Sequence, residues 1–380
     1  MPTSHPPISR RGVLGGLAGL AALATPSPAA AQRGRSGRHA FLVLIDGLRW
    51  QEVFRGADET LLSKEAGGVG DPDALRREFW RPTAAERRQV LMPFLWSTVA
   101  SRGQILGNRD RGSQARVTNG FHFSYPGYSE MIVGYQDPRI DSNDKRPNPN
   151  VTVFEWLHGK PGFRNRVAAF GMWDVVPYIV NQERAGFYVN AGWDPVTVGK
   201  LSEEQKLINR LKAELPRHPW RDYPYDALPF RAMMEYVKAN RPRAAWLTLG
   251  ETDEWAHSRR YDLYLDAARR TDGFLKTLWE TLQSMPEYRD RTTLLVAVDH
   301  GRGRTGKDWT SHGNDIPGAD EIWLAALGPE IAPLGERAHI GEVTQAQIAA
   351  TLAAALGHDY HAEIPKAAPP IAELFKTGTG

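Results

Sequence analysis

The stretch ETDEWAH, residues 251–257, packs three carboxylates and a histidine into seven positions directly behind an apolar run. Asp253 and His257 stand four residues apart, so a helical turn brings both side chains to one face, where they can share one ion. Two other apolar runs end in the same way: AFLVLIDG places Asp46 at its end, and TTLLVAVDHG ends on Asp299 and His300. A single Asp behind a strand is usually a turn former or a helix cap. Three such ends, two of them with a histidine nearby, make a donor set. Carboxylate and imidazole together suit zinc first and manganese as the alternative. The chain contains no cysteine, which excludes thiolate catalysis and thiolate metal sites.

A nucleophile for such a centre has to be a hydroxyl. The segment VTNGFHFSYPGYSEM offers Thr118, Ser124 and Ser129. A serine hydroxyl reacts poorly at neutral pH unless a base or a metal favours its alkoxide. Pro126 fits the first turn of a helix, which puts Ser124 near a helix N-terminus, where backbone N–H groups favour an oxyanion. The same position also suits an ordinary N-cap.

These residues need a scaffold. The runs AFLVLIDG (40–47), GQILGN (103–108), RVAAFGMWD (166–174), AAWLTLGETD (244–253), TTLLVAVDHG (292–301) and EIWLAALGP (321–329) are apolar without polar alternation. That pattern fits strands buried on both faces. Helical spacing of apolar residues fills 261–285, and TQAQIAATLAAALG starts with Thr344 and Gln347 in capping-box spacing and stops at Gly357. The alternation predicts an α/β fold, a doubly wound and mostly parallel sheet with helices on both faces. In such a sheet the ligand crevice lies beyond the carboxyl ends of the strands, where the acids are. The mature chain, residues 32–380, is expected to form a single catalytic domain, with a small cap or insertion around residues 181–230. Within that segment, residues 213–230 are rich in proline and aromatics and read as a lid or a rigid surface excursion.

The N-terminus carries SRRGVLGGLAGLAALA followed by TPSPAAAQ, an export signal with small residues suited to cleavage after Ala31. Its apolar part, residues 12–24, is shorter than the roughly 20 residues a membrane-spanning helix needs, so no transmembrane anchor is expected once it is removed. The pair Arg10 and Arg11 marks the twin-arginine type, which implies a bacterial periplasmic destination for a chain folded before export. Removal takes away two arginines and no acid, leaving 45 basic against 44 acidic residues. No nucleic-acid surface is implied by that balance.

LIDGLRW, FSYPGYSE, TDEWAH, VDHGRG and TSHG, in this order, resemble the metal-ligand series of the alkaline phosphatase superfamily, in particular its type I phosphodiesterase and nucleotide pyrophosphatase branch. The match runs from about residue 40 to residue 312. The resemblance implies two divalent ions, one held by Asp253, His257 and His312, the other by Asp46, Asp299, His300 and the oxygen of Ser124. It implies Ser124 as the nucleophile, a phosphoseryl intermediate, and a small phosphate ester as substrate. The related phosphodiesterases use an asparagine shortly after the nucleophile, for which Asn143, Asn148 and Asn150 all remain open. Monoesterases similar to this branch carry a Lys and an Arg where this chain has Met172, Trp173 and Asp174, which favours diesters or nucleotide-like pyrophosphates. Trp173 offers a stacking surface there, and Arg302, Arg304 and Lys307 offer anion recruitment or a solvated basic loop. Glu251 and Glu254 have no place in the scheme and are expected to be solvated or to support the ligands. The remaining histidines, 39, 122, 158, 218, 339, 358 and 361, fit no ligand spacing. The alternatives on the same fold are a phosphomonoesterase, a phosphoglycerate mutase-like phosphotransferase and a sulfatase. Sulfatases resembling the superfamily need an Arg where SYPGY has Tyr128. A non-catalytic exported protein that binds metal or anions is the alternative of another class.

Overall fold

The computed structural model describes residues 1–4, 37–217 and 223–376. Arg10, Arg11 and the apolar run behind them, expected to be an export signal, lie outside the described residues, as does His218. No helix among the described residues is long and apolar enough to cross a membrane.

The strands, in chain order, are β1 (His39–Ile45), β2 (Gly103–Leu106), β3 (Ala115–Arg116), β4 (Val167–Gly171), β5 (Tyr188–Ala191), β6 (Ala244–Leu249), β7 (Thr292–Ala297), β8 (Glu321–Ile322), β9 (Leu324–Leu327), β10 (Gly335–Glu336) and β11 (Val343–Thr344). Eight of them form the central sheet in the order β10-β2-β9-β7-β1-β6-β4-β5, and β11-β3-β8 form a small second sheet. In the central sheet β9 alone runs against the others, pairing antiparallel with β2 and β7. The expected mostly parallel α/β sheet is therefore present. Strands β1, β6 and β7 are buried along their whole length, as their unbroken apolar runs require. Helix Ala227–Asn240 packs on β4, β5 and β6, and helix Gln347–Ala355 on β1.

The order β7-β1-β6 sets up the site. The three strands whose ends carry acids are direct neighbours, with β1 in the middle and parallel to both. Sequence separation between them exceeds 40 residues at every step, yet their carboxyl ends open on one crevice.

Some elements depart from the expected pattern. The run at 321–329 is split: β8 joins the small sheet and β9 the central one, while Trp323 between them is buried and donates its indole N–H to the Leu48 carbonyl. Strand β5, sequence YVNA, is too short and polar to show as an apolar run. Thr344 belongs to β11 and does not cap the following helix, which begins at Gln347; only the Gln347 side chain reaches back, to the Thr344 N–H. Gly357 stops that helix as expected, at φ +83°. Residues 181–230 contribute β5 to the sheet edge and helix Glu203–Glu214, which packs on helix Ala227–Asn240.

Candidate functional site

The turn after β1 carries Asp46 and the segment after β7 carries Asp299 and His300. Each of these three side chains commits one polar atom to the protein. Asp46 Oδ2 accepts from the Tyr128 hydroxyl at 2.8 Å, Asp299 Oδ1 accepts from the Gly47 N–H at 3.1 Å, and His300 Nδ1 bonds the Gly301 carbonyl at 2.9 Å. The other atom of each, Asp46 Oδ1, Asp299 Oδ2 and His300 Nε2, is buried without a hydrogen-bond partner. His300 Nε2 lies 3.2 Å from the first and 3.3 Å from the second. Orphaned buried polar atoms converging on one point are costly unless a cation sits between them. These residues fit a divalent ion.

The second group sits on the helix Glu251–His257, which follows β6, and on the loop bearing His312. The helix confirms the geometry of the four-residue spacing: His257 Nε2 lies 3.2 Å from Asp253 Oδ2 and 3.0 Å from His312 Nε2. His312 Nδ1 is 3.2 Å from the His122 carbonyl, and donating there leaves Nε2 facing the group. His122 supplies this carbonyl from a left-handed conformation, φ +53°. In each group the candidate ligand atoms lie within 4.8 Å of one another. The six Asp and His residues expected to hold two ions are thus brought together in two threes.

The electrostatics point the same way. Burial, then the charge of Asp253, pushes the Asp46 carboxyl up to about 7. Burial, then Asp46 and Asp253, raises Asp299 well above the carboxylate range. Burial also opposes ionisation of Asp253, but the Arg302 guanidinium beside it, with His257 next, holds that carboxyl well below its ordinary value. Burial lowers His300 to about 4 and, together with His300, lowers His312 to about 3. Without a metal the cluster resists carrying all its negative charge, and the imidazoles of His300 and His312 are neutral and ready to coordinate.

Ser124 is the first residue of helix Ser124–Val133, and Phe123 takes the cap position without a side-chain bond, so Ser124 does not serve as the N-cap. It lines a cavity of about 440 Å³ together with Asp46, Asp253, His257 and His312. Thr118 and Ser129 are spent elsewhere, the first donating to Glu130 and the second accepting from Asn148. Gly127 allows the helix to lie against the segment after β7, since a Cβ there would meet the Asp299 carbonyl at 2.5 Å.

Other expectations resolve at this cavity. Asn143 lines it and accepts from the Tyr125 N–H at 2.9 Å, whereas Asn148 and Asn150 are buried in contacts with Ser129, Ile179 and Asp137. Met172, Trp173 and Asp174 all line it, and Trp173 meets Tyr128 edge to face. Arg302 is not an anion recruiter: it is buried and bonds Asp253 and the Thr310 carbonyl. Arg304 pairs with Glu321. Glu251 is buried, not solvated, accepting from the Asp226 N–H and pairing with Arg270, while Glu254 accepts from the Tyr223 hydroxyl. His39, His158 and His361, which fit no ligand spacing, each bond a backbone carbonyl.

Sequence reasoning missed Asp226, and it named Tyr128 and Arg302 without the roles they take here, holding Asp46 and Asp253. Tyr128 alone carried a usable signal: it is four residues beyond Ser124 on one helix, hence on the same face.

No protein-family model and no curated protein matches the chain. Solved structures share its fold. A putative sulfatase from Bacteroides thetaiotaomicron aligns with a TM-score of 0.57 at 13% identity, over 88% of this chain and 74% of its own. The alkaline phosphatase PafA aligns with a TM-score of 0.55 at 11% identity, over 89% of this chain and 99% of its own. The lipoteichoic acid synthase LtaP from Listeria monocytogenes aligns at 0.51 and 13% identity, over 85% and 73%. At such identities the likeness is one of fold alone, an α/β fold that the chain shares with an alkaline phosphatase, a putative sulfatase and a lipoteichoic acid synthase.

Proposed function

We propose that the chain is an exported, periplasmic hydrolase of phosphate esters, with Ser124 as nucleophile and two divalent ions, zinc first, as cofactors. The observation that carries this reading is the pair of three-residue groups, one of them with three orphaned buried ligand atoms, beside the cavity that Ser124 lines together with Asp46, Asp253, His257 and His312. Asp253, His257 and His312 would hold one ion, and Asp46, Asp299 and His300 with Ser124 the other. Bound there, two such ions supply Lewis acidity that neutralises phosphoryl charge and favours a hydroxyl's ionised form.

The chain's own residues account for the remaining steps. Ser124 Oγ loses its proton and bonds to phosphorus as the bond to the leaving alcohol breaks, and the alcohol departs with a proton. Water then attacks the phosphoseryl group, which restores the serine and releases the phosphate product. Helix Ser124–Val133 directs its N-terminal backbone dipoles at the reacting oxygens. Asn143 spends its side-chain oxygen on Tyr125 N–H, so its amide NH₂ is the end left to donate to a non-bridging oxygen. Tyr128 holds Asp46 in place.

An organic substituent is supported by a second pocket of about 250 Å³ that shares Met172, Tyr223 and Glu254 with the catalytic cavity and adds Trp193, Tyr225 and Trp255. Tyr225 and Trp255 stack at 6.5 Å, an apolar surface suited to the second group of a diester or to the base of a nucleotide-like pyrophosphate.

Zinc-loaded mature protein, offered aryl phosphate diester, monoester and sulfate, tests the reading. Ester hydrolysis that falls about a thousandfold or more in Ser124→Ala and disappears on chelation is expected. Dominant sulfate turnover would replace the phosphate assignment, and bound metal without any turnover would make the chain a binding protein.

A further inference from the structure

Among the described residues lining the catalytic cavity, Lys145 is the one Lys or Arg, set against Asp46, Asp174, Asp253 and Glu254. Its ammonium lies 2.5 Å from Asp174 Oδ2, and both side chains are partly exposed, at 51% and 33%. The loop beneath it is held on both sides by one residue. Tyr125, which directly follows the nucleophile, donates its N–H to Asn143 Oδ1 at 2.9 Å and its hydroxyl to the Arg146 carbonyl at 2.6 Å. The backbone of Lys145 is therefore clamped to the start of the Ser124 helix, while its four-carbon side chain retains its reach. A lysine is a compact charge on a flexible stem, and a partly exposed ion pair holds it weakly.

Resting on the phosphate-ester reading, we propose that Lys145 is a specificity-determining residue. It meets substrate negative charge beyond the single charge of a phosphate diester, and Asp174 is a counter-charge to it in the free enzyme. A diester presents one negative charge to the ions and Asn143. A monoester dianion adds a second on the same phosphorus, and a pyrophosphate ester adds it on the neighbouring one. Either extra charge can take Lys145 from Asp174. The substrates that gain are those with this additional anionic oxygen. Asp174 acts in the opposite sense, because it competes for the ammonium and repels the anion.

The test is a double-mutant cycle on the zinc-loaded enzyme, reading kcat/KM for an aryl phosphate monoester, an aryl pyrophosphate ester and a methyl aryl phosphate diester. Lys145→Met is expected to lower the ratio of anion-rich substrate to diester about tenfold, chiefly through KM, and Lys145→Arg to restore most of it. Asp174→Asn is expected to raise the same ratio, and the rise to vanish in the Lys145→Met background. Whether monoester or pyrophosphate ester shows the larger change identifies which phosphorus carries the charge that Lys145 meets. An unmoved ratio in Lys145→Met, or an Asp174→Asn rise that persists without Lys145, overturns the proposal while Ser124-dependent turnover leaves the wider reading standing. Absence of any Ser124-dependent turnover in the wild type overturns both.

Discussion

Each candidate ligand in the inner group, Asp46, Asp299 and His300, is held by one atom and presented by the other, and this division of labour depends on Tyr128 and the backbone of Gly47 and Gly301. Arg302 does the same for the outer group, Asp253, His257 and His312, with three contacts. Its guanidinium donates to the Asp253 carboxylate, to the Asp253 carbonyl and to the Thr310 carbonyl, so it ties the helix Glu251–His257 to the segment before His312. It also restrains the turn after β1, because a Cβ on Gly47 would meet Asp253 Oδ1 at 2.8 Å and Arg302 Nε at 3.0 Å. Arg302→Met removes a buried cation from a carboxylate-rich cluster and strands two carbonyls. A loss of about 3 kcal/mol in the metal-free protein is expected by chemical denaturation. Zinc should recover part of that loss, since it neutralises the same carboxylate and binds only the folded chain. Arg302→Lys should behave much like the Met variant, because an ammonium cannot reproduce the planar fork that spans these acceptors.

At the scale of elements, the ligand-bearing helix is fixed at its start by a reciprocal pair of carboxylates. Asp226 accepts the Gly250 and Glu251 N–H groups at 2.8 and 3.0 Å, and Glu251 accepts the Asp226 N–H at 2.9 Å. The two acids and Arg270 thereby join the helix Glu251–His257 to the segment that carries Tyr223 and Tyr225 of the apolar pocket. Asp226→Ala leaves two buried N–H groups unpaired, and about 2 kcal/mol of stability should be lost, with zinc binding weakened at Asp253 and His257 more than at the inner group. Denaturant unfolding and a zinc titration read the two effects separately. Asp226→Asn, which keeps one acceptor, should lie between. The strand ends that deliver Asp46, Asp253 and Asp299 were legible in the sequence because each is a local event, an apolar run stopped by an acid. The order of strands makes them neighbours, and fold-level regularity covers that step. Asp226, Arg302 and Lys145 were not legible because each works through a partner distant in sequence, and their own surroundings carry no periodicity. The split of residues 321–329 between two sheets escaped for a related reason: Trp323 turns the chain through a tertiary contact with Leu48, while the run itself looks like one strand.

Across the whole molecule the sheet must exclude water from its middle strands, and it does so even where a titratable group begins one. His39 opens β1 and is 3% exposed, with its ring 4.5 Å from that of Tyr288 and its Nδ1 3.4 Å from the Pro242 carbonyl. Burial lowers its pKa to about 4 from an ordinary 6.5. The folded state therefore refuses a proton that the unfolded chain accepts. Above about pH 6.5 both states are neutral and the full stability is present; as pH falls from 6.5 toward 4 the unfolded state gains the proton first and stability declines, by about 3 kcal/mol across the window. His300 and His312, also lowered by burial, add to the decline in the metal-free protein with the same sign. A His39→Leu variant isolates the single contribution, since the other histidines are common to both chains. Its unfolding free energy, followed by denaturant titration from pH 7 to pH 4, should fall about 3 kcal/mol less than that of the wild type. Equal slopes would mean that the start of β1 opens to water before the rest of the sheet, and that the ring is protonated there without global unfolding.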